Sequence, residues 1–148
     1  KAMHLLSKLI LAKMVKQNSG YLLNVASSAG LLPAGPYMSS YYATKAYVTS
    51  LTSGISEELK AKKSQVSISA LCPGPVDTEF NKVANVEFAL KGISAEYCAN
   101  YAITQMFKKK VTIVPTFMMK AAVVLGRLIP VGLYVKIGAK QQKKKIYR

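Results

Sequence analysis

Apolar positions along the chain switch between a helical and a strand-like rhythm. Through residues 1–16, Met3, Leu6, Ile10 and Met14 recur at helical spacing, with Lys1, Lys8 and Lys16 elsewhere on the surface. This predicts an amphipathic helix. Gln17-Asn18-Ser19-Gly20 stops it, Gly20 being the expected C-cap. The mainly apolar run Tyr21-Leu22-Leu23-Asn24-Val25-Ala26 predicts a buried strand ending in Ser27-Ser28-Ala29-Gly30. Residues 31–38, with Pro33, Gly35 and Pro36, form a turn-rich loop. Ser39 or Ser40 caps the next helix, which reaches about Lys62 and buries Ala43, Ala46, Leu51, Ile55 and Leu59. A second strand, Val66 to Leu71, runs into Cys72-Pro73-Gly74-Pro75-Val76-Asp77-Thr78. Ser94 caps a further helix, and Val111 to Val114 forms the last strand, stopped by Pro115. Two helical stretches, Phe117 to Leu128 and Val131 to Gln142, then flank Pro130.

The stretch from Ser27 to Lys45 carries candidate chemistry. It holds a hydroxyl at Ser27, a phenol at Tyr41 and an amine at Lys45, four residues after the phenol. At that spacing Tyr41 and Lys45 share one helix face, a turn apart. An ammonium there favours the phenolate and tunes the phenol for acid–base work near neutral pH. A Ser hydroxyl at the end of the preceding strand can hydrogen-bond the oxygen whose charge changes in the reaction. With nine Tyr and nineteen Lys in 148 residues, about one Tyr-x-x-x-Lys is expected by chance and one is found, so the pair alone decides nothing. Ser28 and Tyr42 are the rivals of Ser27 and Tyr41, but only Tyr41 has Lys four residues on.

What decides is the order of motifs. Asn24-Val25-Ala26-Ser27-Ser28-Ala29-Gly30, then Tyr41 to Lys45, then Pro73 to Thr78 after a strand, stand in the order and at the spacing of one known pattern. In this the chain resembles the short-chain dehydrogenases/reductases. Each motif is weak alone; three in register are specific.

The resemblance implies an α/β, Rossmann-like doubly wound parallel sheet, seen here as its C-terminal part. It implies catalytic roles for Ser27, Tyr41 and Lys45, choosing Ser27 over Ser28 as the hydroxyl three residues before the Gly. Tyr41, Lys45, Pro73, Gly74, Val76 and Thr78 would bind the nicotinamide end of NADP or NAD. The loop at 31–38 and the segment at 79–96 would border the substrate, with Phe80, Val83, Val86, Phe88 and Leu90 as apolar lining; ordinary packing is the alternative for each. The first helix and the Tyr41 helix would form a homodimer interface. The family's glycine-rich dinucleotide turn is missing, since Gly30, Gly35 and Gly54 make no such turn between a strand and a helix. The family's relay Asn would fall at or just before Lys1. The chain is therefore expected to be part of a longer enzyme.

Composition narrows the picture further. With 51% hydrophobic residues the chain is not disordered, and 148 residues suit one domain with a modest core. The expectation is a single partial Rossmann domain over 1–148 with a basic amphipathic segment at 117–148. Cys72 and Cys98 lack metal-ligand spacing, so no metal is expected; they read as reduced and buried, which fits a cytoplasmic protein. His4 reads as a helix-surface residue. No leader is visible at the N-terminus, and Lys120, Arg127 and Lys136 interrupt the apolar C-terminal third, so no membrane-spanning helix is expected.

Net charge +15 invites nucleic acid. The basic residues do not interleave with an aromatic platform, however, and no nucleic-acid partner is expected. From Tyr97 onward there are eleven Lys or Arg and no Asp or Glu. Such an end fits peripheral contact with a membrane surface or an anionic acyl carrier; a solvated cap or packing on a partner subunit is the plainer reading. The resemblance implies an oxidoreductase interconverting a carbonyl and an alcohol, and the apolar lining and basic tail lean towards a hydrophobic substrate. The alternative is a non-catalytic relative or a basic membrane-surface or partner-binding protein.

Overall fold

Helix and strand alternate through the molecule. The structure is a computed structural model that describes residues 2–79 and 92–146. Along the chain run α1 (Ala2–Lys16), β1 (Tyr21–Val25), a 3-10 turn (Ser28–Leu31), α2 (Ser39–Ala61), β2 (Ser67–Leu71), β3 (Val76–Asp77), β4 (Ile93–Ser94), α3 (Ala95–Phe107), β5 (Thr112–Ile113), α4 (Phe117–Leu128) and α5 (Val131–Ile146). The sheet has the order β1-β2-β5, all parallel, with Leu22 beside Ile68 and Leu71 beside Ile113. Parallel strands joined by helices need crossovers, and here these put helices on both faces. Leu22 and Ile68 pack with Leu11 of α1 and Leu59 of α2, whereas Leu23, Leu71 and Ile113 pack with Cys98 and Ala102 of α3. The fold is α/β and Rossmann-like, as expected.

Two helices present faces other than those their apolar spacing predicts. In α1, Ser7 and Leu11 are buried with Met14 against the core, while Leu6 is 56% and Ile10 37% exposed. In α2 the buried residues are Thr49, Thr52, Ser56 and Leu59; Ala43 is exposed, and Ala46, Leu51 and Ile55 are half-buried. The reason is a buried polar network. Asn24 of β1 donates from Nδ2 to Thr52 Oγ1 at 3.1 Å and accepts from Ser7 Oγ at 3.4 Å. Small hydroxyl residues let both helices approach the sheet while satisfying this amide.

Helix ends differ from expectation in one systematic way. Asn18 (φ 47), Lys63 (φ 51) and Lys109 (φ 57) take the left-handed conformation after α1, α2 and α3. Gly20, the expected C-cap, lies two residues further on with φ 144. In each case the next N–H reaches back to close the last turn: Ser19 to Met14, Ser64 to Leu59, Lys110 to Gln105, at 3.2, 3.0 and 3.1 Å. This is the Schellman arrangement. At the start of α2, Met38 holds the cap position, so neither Ser39 nor Ser40 caps it. Ser94 does cap α3, its Oγ accepting from Tyr97 N at 3.2 Å.

The C-terminal helices begin where the spacing predicts, and α5 continues to Ile146. Met119 and Val123 of α4 close a core at the C-terminal end of the sheet with Ala26, Ala70, Cys72 and Val114. Among the described residues no helix is long and apolar enough to cross a membrane. The candidate lining residues Phe80, Val83, Val86, Phe88 and Leu90 lie outside the described residues.

Candidate active site

The candidate residues gather where β1 and β2 end. Beyond Val25 the chain enters Ser27, which caps the 3-10 turn: its Oγ accepts from Ala29 N at 3.2 Å. That bond fixes the oxygen and leaves the hydroxyl hydrogen to donate elsewhere. Ser28 N–H donates to Pro73 O at 2.8 Å, tying this turn to the segment after β2. Gly30 seats the turn on α2. A Cβ there would stand 2.5 Å from the carbonyl oxygen of Lys45, and Thr49 Oγ1 donates to Gly30 O at 2.9 Å. Only a residue without a side chain lets the Ser27 turn lie directly on the Lys45 turn of the helix.

Lys45 reaches back across this junction. Its Nζ lies 5.7 Å from the Tyr41 ring centroid and donates to Val25 O at 3.4 Å. Burial lowers the ammonium's pKa, partly opposed by the Cys72 thiol nearby. Cys72 is wholly buried, and burial pushes its thiol up to about 12 against the pull of a Ser27 backbone hydrogen bond and the charges of Lys45 and Arg127. The Ser27 backbone, Cys72 and Lys45 thus meet around one point. Among the described residues no hydrogen bond joins Ser27 Oγ to the Tyr41 hydroxyl.

The neighbour Tyr42 has a different environment. Its ring lies over Gly35, where a Cβ would fall 2.1 Å from Cε2, and burial raises its pKa, with Tyr134 and Tyr41 adding to the effect. A phenol kept protonated under a loop is poorly suited to exchange protons near neutral pH.

Of the expected cofactor residues, Pro73 is joined to Ser28, and Val76 pairs with Ile93 in a two-residue parallel bridge. Thr78 is exposed. Gly74 faces Met119, whose Cε would lie 2.5 Å from an added Cβ, so α4 accounts for this glycine. The residues present fit the nicotinamide end of a dinucleotide: an ammonium with donors to spare, a phenol one turn before it, and a Pro-Gly turn at the C-terminal end of a parallel strand. Gly30 serves helix contact, and no glycine-rich phosphate turn occurs among the described residues.

Four features escaped sequence reasoning. Asn24 opens the first motif, and its position there was the available signal for the Ser7–Asn24–Thr52 network. Cys72 was visible only as a buried thiol. Arg127, whose Nε donates to Leu31 O at 3.1 Å, and Tyr134, beside Tyr42 and Gly126, carried no local signal.

A model described as short chain dehydrogenase matches residues 1–88. The chain belongs to that family of oxidoreductases. Among curated members, very-long-chain 3-oxoacyl-CoA reductase-B of Danio rerio is 35% identical over 78 residues, 53% of this chain and 24% of that protein. Human 17-beta-hydroxysteroid dehydrogenase type 3 is 36% identical over 86 residues, 58% of this chain and 27% of the other. The chain spans about a quarter of the length of the curated relatives it matches. A short chain dehydrogenase from Burkholderia cenocepacia J2315 in complex with NADP superposes with a TM-score of 0.62 at 25% identity, over 75% of this chain and 44% of that one. Solved structures of this fold hold NADPH, NADP or NAD.

Proposed function

We propose that this chain is the substrate-side part of an NADP- or NAD-dependent reductase that interconverts a carbonyl and an alcohol. One observation carries the reading: the Ser27 turn is clamped by Gly30 onto α2 at Lys45, one helical turn beyond Tyr41. The dinucleotide, when bound, supplies hydride to the carbonyl carbon. Tyr41 donates a proton to the carbonyl oxygen, and Ser27 Oγ–H hydrogen-bonds the same oxygen as negative charge builds on it. Lys45, held over the Tyr41 ring, stabilises the phenolate left behind and would hydrogen-bond the nicotinamide ribose. Pro73, Gly74, Val76 and Thr78 would flank the nicotinamide. Alcohol oxidation follows the same path in reverse.

A hydrophobic substrate, a steroid-like or fatty-acyl ketone, suits the apolar residues Leu31 and Leu32 beside the Ser27 turn, and the curated relatives named above act on such compounds by their names. Residues 1–148 would form a single partial Rossmann domain of a cytoplasmic enzyme. The exposed Leu5, Leu6, Leu9 and Ile10 of α1 would pair copies as a homodimer. Peripheral contact with a membrane surface through the basic C-terminal segment belongs to the same reading. In the complete enzyme, Tyr41→Phe should lower turnover by about 100- to 10,000-fold with the fold intact; near-normal turnover would sink the mechanism.

A further inference from the structure

Helix α4 is apolar on two opposite sides. With about 3.6 residues per turn, Met119, Val123 and Gly126 fall on one side, and Phe117, Val124, Leu125 and Leu128 on the other. The first set is buried against the end of the sheet. The second is not: Phe117 is 85% and Leu128 75% exposed, and Met118, Val124 and Leu125 are each more than half exposed. Val131 and Leu133, in the first turn of α5, are also more than half exposed. Isolated exposed leucines need no explanation, but a contiguous stripe marks an interaction surface.

Charge selects the occupant. Exposed Lys120, Lys136 and Lys140 lie on the same two helices, within a stretch of eleven basic residues and no acidic one from Tyr97 to Arg148. A second copy would bring the same positive charge to the contact and be repelled. Nucleic acid offers negative charge but no apolar interior for Phe117 and Leu128. A bilayer containing anionic lipid offers both, and Lys side chains can lay their stems on an apolar surface while keeping the ammonium at headgroup level.

We propose that the outward face of α4 inserts into the interfacial layer of an anionic membrane. The inference rests on the peripheral-contact reading above and names the surface that makes the contact. It also joins the membrane to the site. The same helix holds the loop after Ser27 from its other side: Arg127 Nε bonds Leu31 O at 3.1 Å, and Gly126 lies against Leu32. A hydrophobic ketone dissolved in the bilayer would meet the protein at the helix that supports its binding loop.

The 148 residues contain no Trp. In the protein carrying this chain, Phe117→Trp therefore adds an indole read by difference against the parent, and Phe107→Trp at the end of α3 serves as control. On phosphatidylserine-containing vesicles, emission of the Phe117→Trp variant should shift to the blue and be quenched by brominated acyl chains, while the control indole stays in water. Leu125→Ser with Leu128→Ser should lower partitioning about tenfold or more without unfolding, both side chains being exposed. Vesicle binding with the Phe117→Trp indole still in water would overturn the α4 surface and leave only electrostatic adsorption by the basic end. No binding would overturn both. A blue shift that grows with protein concentration without lipid would assign the face to a second copy. Catalysis is read separately, by turnover of Tyr41→Phe.

Discussion

The β1–α2–β2 unit and the C-terminal helix pair treat water in opposite ways. In the first, polar side chains are taken inside and several are bonded there, Asn24 holding Ser7 and Thr52 and Thr49 holding Gly30, while Ser69 Oγ of β2 is buried without a partner among the described residues. In the second, large apolar side chains are left outside, as at Phe117, Leu125 and Leu128. Buried polar networks fix geometry because an unbonded member is costly. Exposed apolar stripes fix little until something covers them. The contrast separates a region built to hold atoms in place from one built to meet something else. The short chain dehydrogenase model follows the same division, matching residues 1–88 and stopping before the helix pair.

Substitutions can test that division. The largest effect on stability is expected at Gly30→Ala. The added methyl meets backbone rather than a movable side chain, so the Ser27 turn must lift from α2, at about 3 kcal/mol. A urea midpoint equal to the parent's would show that the clamp is loose. Asn24→Ala removes the shared partner of Ser7 and Thr52 and should cost about 2 kcal/mol; a loss no larger than that of an exposed Asn would place the network in water.

Cys72 sharpens the comparison through pH. Its folded pKa is about 12 against an ordinary thiol value of 9.0. Above 9 the unfolded thiol loses its proton while the folded one keeps it, so the unfolded state binds fewer protons and stability falls as pH rises. The Cys72 share of this fall should approach about 1.4 kcal/mol per pH unit between 9 and 12, and Cys72→Ala should remove that share, leaving the contribution of Cys98, Tyr42 and Tyr134, which burial also raises. Parallel pH profiles for the two proteins would mean that the thiol is not buried. The smallest effect is at Leu125→Ser, where stability should change by no more than about 0.5 kcal/mol. A large loss there would mean that this side chain is already covered.

Much of this was legible in the sequence, for identifiable reasons. The strands at Tyr21 and Ser67 and the three ordered motifs depend on local pattern and chain order, which sequence displays directly. The extent of α4 and the start of α5 followed from apolar spacing around Pro130, whereas α5 runs past the expected end at Gln142 to Ile146. The inward faces of α1 and α2 followed from it only in part: Met14 and Leu59 pack inward as their spacing predicts, but Ser7 and Thr52 are inside to bond Asn24 and Thr49 to bond Gly30, and a periodicity of apolar residues cannot see a hydrogen bond. Glycine is the usual left-handed residue at a C-cap, which points to Gly20, yet Asn18 holds that position. Around the candidate site, Ser27, Tyr41 and Lys45 were marked by motif. Arg127 and Tyr134 were not, because their relation to Leu31 and Tyr42 spans most of the chain and exists only after folding.

The turns at Asn18, Lys63 and Lys109 have a consequence for how such a molecule can change. Each stands two residues past its helix and leads into β1, β2 or β5, so one mould delivers the chain to the near end of every strand of the sheet. At the far end no two exits agree: a serine-capped 3-10 turn after β1, Pro-Gly-Pro after β2, and Val-Pro-Thr before α4 after β5. One rim of the sheet is standardised and the other is bespoke. Loops on the bespoke rim can be exchanged one at a time while the standard rim goes on setting where each strand begins.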